Sequence, residues 1–219
     1  MRHLEDKGFE GTPKALGIDE QGREVLSFVP GEVVGQRGGG VPPAYVREVG
    51  TLAGVARLLR RYHDATVGFV APDDAAWAYQ VGAPHSGEVI CHNDVGPWNV
   101  VFSDGRPIAF IDFDTAAPGP RAWDIAYALY RFVPYVPDDV CAIIGWPQPP
   151  DRPARLRTFC EAYGLENWDG ILDVMVSRIE VMVATGMVAH DAGDPVYGDQ
   201  WLQVMKSRLQ RDMNFIRGL

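Results

Sequence analysis

The segment Cys91-His92-Asn93-Asp94-Val95-Gly96-Pro97-Trp98-Asn99 contains a His-x-Asp pair and, five positions after the Asp, an Asn. Thirteen residues beyond Asn99 comes a second acidic group, within Ile111-Asp112-Phe113-Asp114. Phosphoryl transfer needs a carboxylate to accept the proton of an attacking hydroxyl, and oxygen ligands to hold magnesium against nucleotide phosphates. Asp94, Asn99 and Asp112 supply that set. Asp and Asn are also ordinary loop formers, and His-x-Asp alone is a weak signal. The weight comes from the order in which strand, loop, hairpin and second Asp follow one another.

Those residues need rigid supports. Val89-Ile90-Cys91 reads as a short buried strand feeding the loop, and Gly96-Pro97 keeps that loop non-helical, so that Asp94 and Asn99 can turn toward one point. Val100–Phe102 and Ile108–Ile111 read as two further strands joined at Asp104-Gly105, which brings Asp112 in from a neighbouring hairpin. Upstream, Arg2–Lys7 resembles the end of a helix, and Pro13–Ile18 and Arg23–Val29 form a strand pair around Asp19-Glu20-Gln21-Gly22. Gly38-Gly39-Gly40 is a connector that lacks the spacing of a phosphate-cradling loop. Apolar spacing predicts helices over Ala44–His63, Trp123–Phe132, Arg152–Tyr163, Asp169–Ala189 and Val196–Ile216. Met175, Met182 and Met187 on the fourth of these read as core. The fold class is α+β: a strand pair, a connector, and a mainly helical lobe around a small β-unit.

The composition sets limits on partners and location. With 219 residues, 47% of them hydrophobic, the chain can bury one substantial core. A net charge of -9 argues against a nucleic-acid binder and would tolerate a cationic small molecule. Cys91, Cys141 and Cys160 have neither metal-ligand nor disulfide-framework spacing, which suits a reducing cytoplasm. Met1–Gly11 is charged rather than a signal core, and no apolar run of membrane-spanning length occurs.

Taken together, His92–Asn99, Asp112 and Pro120-Arg121-Ala122-Trp123-Asp124-Ile125-Ala126 resemble the aminoglycoside phosphotransferase and choline kinase group, relatives of the protein kinases. The resemblance runs back through Leu26-Ser27-Phe28-Val29-Pro30-Gly31-Glu32, which is similar to that family's link between two lobes, and so covers nearly the whole chain. It implies a protein-kinase-like fold with residues 1–31 as a remnant of the N-terminal lobe and 32–219 as hinge and catalytic lobe. It implies Asp94 as catalytic base, with His92 beside it orienting the loop through its ring nitrogens. Asn99 and Asp112 would then hold Mg2+ and, through it, ATP, and a hydroxyl of a small-molecule acceptor would receive the γ-phosphate. Asn93 stands where that family usually has Gly, and Val95 and Trp98 are unusual occupants of the loop.

Asp124 has two readings: a brace for the catalytic loop, as in the family, or a helix N-terminal carboxylate favoured by the dipole. His63 reads as a satisfied structural histidine and Asp114 as a solvated neighbour. Glu161, Glu166, Asp169, Asp173, Glu180, Asp191 and Asp194 lie on helices that line the acceptor pocket in the family, and most should be solvated.

A kinase also needs a Gly-rich hairpin and a strand Lys over the phosphates. The only lysines are Lys7, Lys14 and Lys206, none in such a context. The expectation is a chain that begins late relative to the family pattern, binds ATP weakly, and can dimerise through the exposed edge of its first strand pair. The alternatives are a catalytically inactive kinase-like module that holds a ligand, and a metal-dependent hydrolase built on Asp112 and Asp114 that would leave Asp94 and Asn99 idle.

Overall fold

The computed structural model describes residues 1–35, 41–72, 75, 77, 82–84 and 86–219. The Gly38–Gly40 connector lies outside them. A short helix α1 (Arg2–Asp6) leads to the antiparallel pair β1 (Ala15–Ile18) and β2 (Glu24–Leu26). Their turn is fixed by Asp19, whose carboxylate accepts the amides of Gln21 at 2.9 Å and Arg23 at 2.8 Å. Both strands are shorter than their apolar runs. Pro13 has no N–H to give a ladder, and β2 ends where Leu26 meets Ala15.

A two-residue strand β3 (Glu32–Val33), which the sequence reading treats as hinge, follows. Gly31 permits it: a Cβ there would lie 2.6 Å from the Phe102 carbonyl oxygen, and its φ of 149° is open only to glycine. The expected helix over 44–63 is two pieces. Ala44–Arg47 is a 3₁₀ turn, Glu48 is extended with ψ 146°, and α2 runs from Val49 to Thr66. Leu52, Val55, Ala56, Leu59 and Tyr62 face the core.

The chain then forms β4 (Val89–Cys91), β5 (Val100–Ser103), β6 (Arg106–Phe110) and β7 (Ala117–Gly119). β5 sits between β3 and β6, and β4 pairs antiparallel with β7. An Ala-Pro-Gly strand carries no sequence signal, because its residues favour turns. Five helices complete the lobe: α3 (Arg121–Phe132), α4 (Asp138–Ile143), α5 (Arg152–Tyr163), α6 (Ile171–Asp191) and α7 (Asp199–Arg217). α4 is one short addition to the expected set, and α7 starts after a separate turn at Pro195–Tyr197. α5 shows why its bounds were legible. Asp151 caps it through the Ala154 amide at 3.0 Å, and Gly164 closes it at φ 87°.

α2 packs on α5, α3 on α6, and α6 on α7. Their shared core includes Leu59, Tyr62, Leu129, Phe159, Met175 and Ile179. Met175 is buried and Met182 packs against that core, whereas Met187 is 38% exposed. Of the three arginines whose spacing on this helix predicts a solvent-facing side, Arg57 and Arg61 are exposed, whereas Arg60 is half-buried and pairs with Asp64 at 2.7 Å. Among the described residues no helix is long and apolar enough to cross a membrane. The result is an α+β architecture in which the loop after β4 meets the first turn of α3 at Asp124, which in turn meets the last turn of α2 at His63.

Candidate active site

Between β4 and β5 the chain has no regular ladder, so its polar groups must find partners elsewhere. Asp124, in the first turn of α3 and fully buried, supplies two. Its Oδ2 accepts the His92 amide at 2.6 Å and its Oδ1 the Asn93 amide at 2.7 Å. Nε2 of His63 donates to the same Oδ2 at 3.1 Å. Burial by itself would raise the Asp124 carboxyl. The hydrogen bond and charge of His63, with help from His92, outweigh burial and hold it below the ordinary carboxylate value. Both readings of Asp124 are therefore correct at once: it is a helix N-terminal carboxylate and the brace of the loop.

His63 is satisfied at both nitrogens, since its Nδ1 lies 2.7 Å from the Tyr163 hydroxyl. Tyr163 in turn accepts from Arg121 at 3.2 Å, and Arg121 pairs with Asp64 at 2.8 Å. His63, Cys91 and Asp124 lie within 4.8 Å of one another, a grouping that could in principle ligate a metal. Each His63 nitrogen and each Asp124 oxygen already has a protein partner, and burial raises the Cys91 thiol, so the group is structural.

His92 is fully buried and its tautomer follows from its partners. Nδ1 accepts the Asp94 amide at 3.3 Å, so Nε2 carries the proton and donates to the Ile111 carbonyl at 3.0 Å. The ring thus links the loop to the end of β6, one residue before Asp112. Asn93 adopts φ 66°, which explains why glycine suits this position. Its side-chain amide donates to the Thr115 carbonyl at 2.9 Å, and its own carbonyl accepts from the Arg178 guanidinium.

Asp94 is 5% exposed, and donors that hold its carboxylate include three among the described residues. The Tyr127 hydroxyl reaches Oδ1 at 2.6 Å, while Asn99 Nδ2 and Trp98 Nε1 reach Oδ2 at 2.9 and 3.3 Å. Asn99 Nδ2 also donates to the Asp94 carbonyl at 3.0 Å. Trp98 is seated by Gly96, where a Cβ would lie 2.5 Å from the indole. Tyr127 was not legible as a site residue. Its spacing on α3 puts it one turn beyond Asp124, on the same helix face, and that i, i+3 relation was the available signal.

Asp112 stands apart from this cluster in its side-chain contacts. It is exposed, has φ 62°, and shares with Asp114, Tyr62, Phe69 and Trp77 the wall of a cavity of about 430 Å³. The backbone nevertheless joins it to Asn99, since the Ile111 amide donates to the Asn99 carbonyl at 3.1 Å. The structure therefore brings Asp94, His92 and Asn99 into one hydrogen-bonded unit and places Asp112 on the adjoining strand end. The acidic helix residues are surface groups: Glu180 pairs with Arg217 at 2.6 Å, and Asp194 caps its own turn.

The phosphotransferase enzyme family matches residues 70–171, which include the loop, Asp112 and Asp124. Trifolitoxin immunity protein of Rhizobium leguminosarum bv. trifolii is 34% identical over 184 residues, a match covering 81% of this chain and 67% of that protein. The chain belongs to the aminoglycoside phosphotransferase family. Solved structures agree on the fold. An ethanolamine kinase of Plasmodium vivax superposes with TM-score 0.64 at 14% identity, covering 98% of this chain and 70% of that one. A choline/ethanolamine kinase family protein of Mesorhizobium loti gives 0.58 at 14% identity, covering 100% and 82%. The fold of this aminoglycoside phosphotransferase family member is thus protein-kinase-like.

Proposed function

We propose that the chain carries the catalytic part of a small-molecule kinase, moving the γ-phosphate of ATP to a hydroxyl of its acceptor. Residues 32–219 are the catalytic lobe in this reading, and residues 1–31 the remnant of the nucleotide-side lobe. The observation that carries it is the Asp94 carboxylate, held by Tyr127, Trp98 and Asn99 in a loop whose first two amides are fastened by Asp124. Such rigidity suits a base that must meet a hydroxyl in line with the phosphorus.

In the reaction the acceptor O–H gives its proton to a carboxylate oxygen of Asp94 as the oxygen attacks the γ-phosphorus, and ADP leaves. His92 acts through position alone, because its single proton is committed to the Ile111 carbonyl. Asn99 and Asp112 suit a magnesium ion. The Asn99 side-chain nitrogen is occupied by Asp94, which leaves its amide oxygen to face a metal, and Asp112 is an exposed carboxylate. Hard oxygen donors in small number, completed by phosphate oxygens, are what Mg2+ takes. The ion would neutralise charge on the phosphates.

The three cysteines are buried free thiols, in keeping with a reducing cytoplasm. Leu16 and Ile18 on β1 are 64% and 65% exposed and Phe28, just beyond β2, 84%, and a second copy pairing there is the association this reading expects. The deciding experiment is phosphate transfer from Mg-ATP to a panel of hydroxylated small molecules, with Asp94→Asn as control. The variant should keep the wild-type melting curve and lose transfer by several orders of magnitude. Near-normal turnover by Asp94→Asn removes the base role. Absence of both transfer and nucleotide-induced stabilisation in the wild type leaves an inactive ligand-binding module.

A further inference from the structure

We infer that the acceptor bears an anionic group, a carboxylate or phosphate, close to the hydroxyl that is phosphorylated, and that Arg131 receives it. This rests on the reading of Asp94 as the base and narrows the substrate class of that same site.

The Arg131 guanidinium lies over three aromatic rings: Trp98 at 5.1 Å, Tyr127 at 4.9 Å and Tyr130 at 4.6 Å. Two of those rings, Trp98 and Tyr127, are the ones that hydrogen-bond Asp94. An acceptor whose hydroxyl approaches Asp94 therefore comes within reach of Arg131. Aromatic faces beside a catalytic carboxylate would ordinarily suit a substrate ammonium. Here the chain's own cation already occupies them, and an incoming ammonium would have to displace it or sit against like charge.

Arg131 is itself incompletely satisfied. Its Nε is buried without a hydrogen-bond partner, and among the described residues no carboxylate forms an ion pair with it. A guanidinium carries five N–H donors in a planar fork that matches carboxylate and phosphate. Burial opposes its charge, but Tyr127, Tyr130 and Asp94 together keep its pKa raised, so it remains a cation. A second guanidinium reinforces the sign. Arg178 is buried over Tyr127 at 4.9 Å, with its own Nε unpartnered. The acids nearby are each held by other groups, Asp94 by Tyr127, Trp98 and Asn99. Asp124 is consumed by the loop amides and His63, and fully buried Asp212 is held by Tyr130 with its pKa raised by burial.

The test uses four hydroxylated probes of similar size: glycerate, glycerol phosphate, glycerol and serinol. Calorimetric binding to the chain should favour glycerate or glycerol phosphate, and the better of the two identifies carboxylate or phosphate as the partner. Arg131→Gln should weaken that binding roughly tenfold to hundredfold, as loss of a charge-assisted hydrogen bond does. Arg131→Lys, which keeps the charge and loses the fork, should lie between. If Arg131→Gln does not fold, the lysine variant and the probe ranking still decide. Tighter binding of serinol, equal binding of all four, or no binding of either anion overturns the inference. Phosphate transfer separates the two layers. Transfer to serinol or glycerol without anion preference overturns this inference and spares the kinase reading, whereas anion binding without transfer to any probe does the reverse.

Discussion

The Tyr127 hydroxyl donates to Oδ1 of Asp94 at 2.6 Å, a buried hydrogen bond that joins helix α3 to the loop after β4. Tyr127 is 3% exposed, so no water takes its place if the hydroxyl is removed. Burial, with the neighbouring Asp94 charge, raises the phenol pKa against the pull of Arg131, and Tyr127 stays a neutral donor. Tyr127→Phe should cost about 1.5–3 kcal/mol of stability, the usual worth of a hydrogen bond to a charged group. With Asp94 as the proposed base, steady-state kinetics should show a fall in kcat larger than any change in acceptor KM, because the phenol would position that base without holding substrate. An unchanged kcat would remove Tyr127 from the machinery.

Asp124 should dominate the acid stability of the loop after β4. Its folded-state pKa is depressed, so the unfolded chain binds the extra proton more readily. The stabilisation is fully present above the ordinary carboxylate value of about 4 and is lost as pH falls through the depressed folded value. Asp124→Asn presents one acceptor and one donor to groups that all donate, and should cost about 3–5 kcal/mol at neutral pH. Urea unfolding from pH 7 down to 3 should show the wild type converging on the variant at the acid end. Parallel curves would mean that Asp124 is not the linked group.

Asn93 offers a sharper test of backbone geometry. At φ 66° an ordinary side chain is strained by about 1–2 kcal/mol, which Asn partly escapes. Asn93→Ala should therefore lower stability by about that amount and also forfeit the bond to the Thr115 carbonyl. Asn93→Gly removes the strain, the bond, and the buried unpartnered Oδ1 together, and should stay within about 1 kcal/mol of wild type. Thermal melts of the two variants check the ordering. An Ala variant as stable as the Gly variant would contradict it.

The residues that were legible share one property: their chemistry is written in local spacing. The His92–Asn99 loop, Asp112 after its hairpin, and α5 between Asp151 and Gly164 each follow from types a few positions apart. What was not legible depends on distant partners. β3 and β7 are strands only because Phe102 and Cys91 face them across a ladder. Glu48 breaks the expected helix over 44–63, although nothing in that stretch other than Gly50 and Gly54 argues against a continuous helix. Tyr127, Arg131 and Arg178 look like ordinary helix residues until the fold brings them around Asp94.

Asp112 gives the clearest separation of binding from folding. Its side chain is exposed and makes no hydrogen bond or ion pair among the described residues, so Asp112→Ala should change stability by about 0.5 kcal/mol or less. Asn99 behaves differently. It is 3% exposed and gives both amide protons to Asp94, so Asn99→Ala loosens the base and lowers stability as well. If the two share a magnesium ion, both variants should lose magnesium-dependent nucleotide binding, but only Asn99→Ala should melt earlier. Calorimetry of ADP binding with and without Mg2+, beside thermal melts, reads both. The wild-type affinity itself should be weak, because Lys7, Lys14 and Lys206 are all exposed and none lines the Asp112 cavity to meet a phosphate. Tight ADP binding would show that other groups hold the phosphates. Magnesium-dependent binding that survives Asp112→Ala would move the metal away from the end of β6.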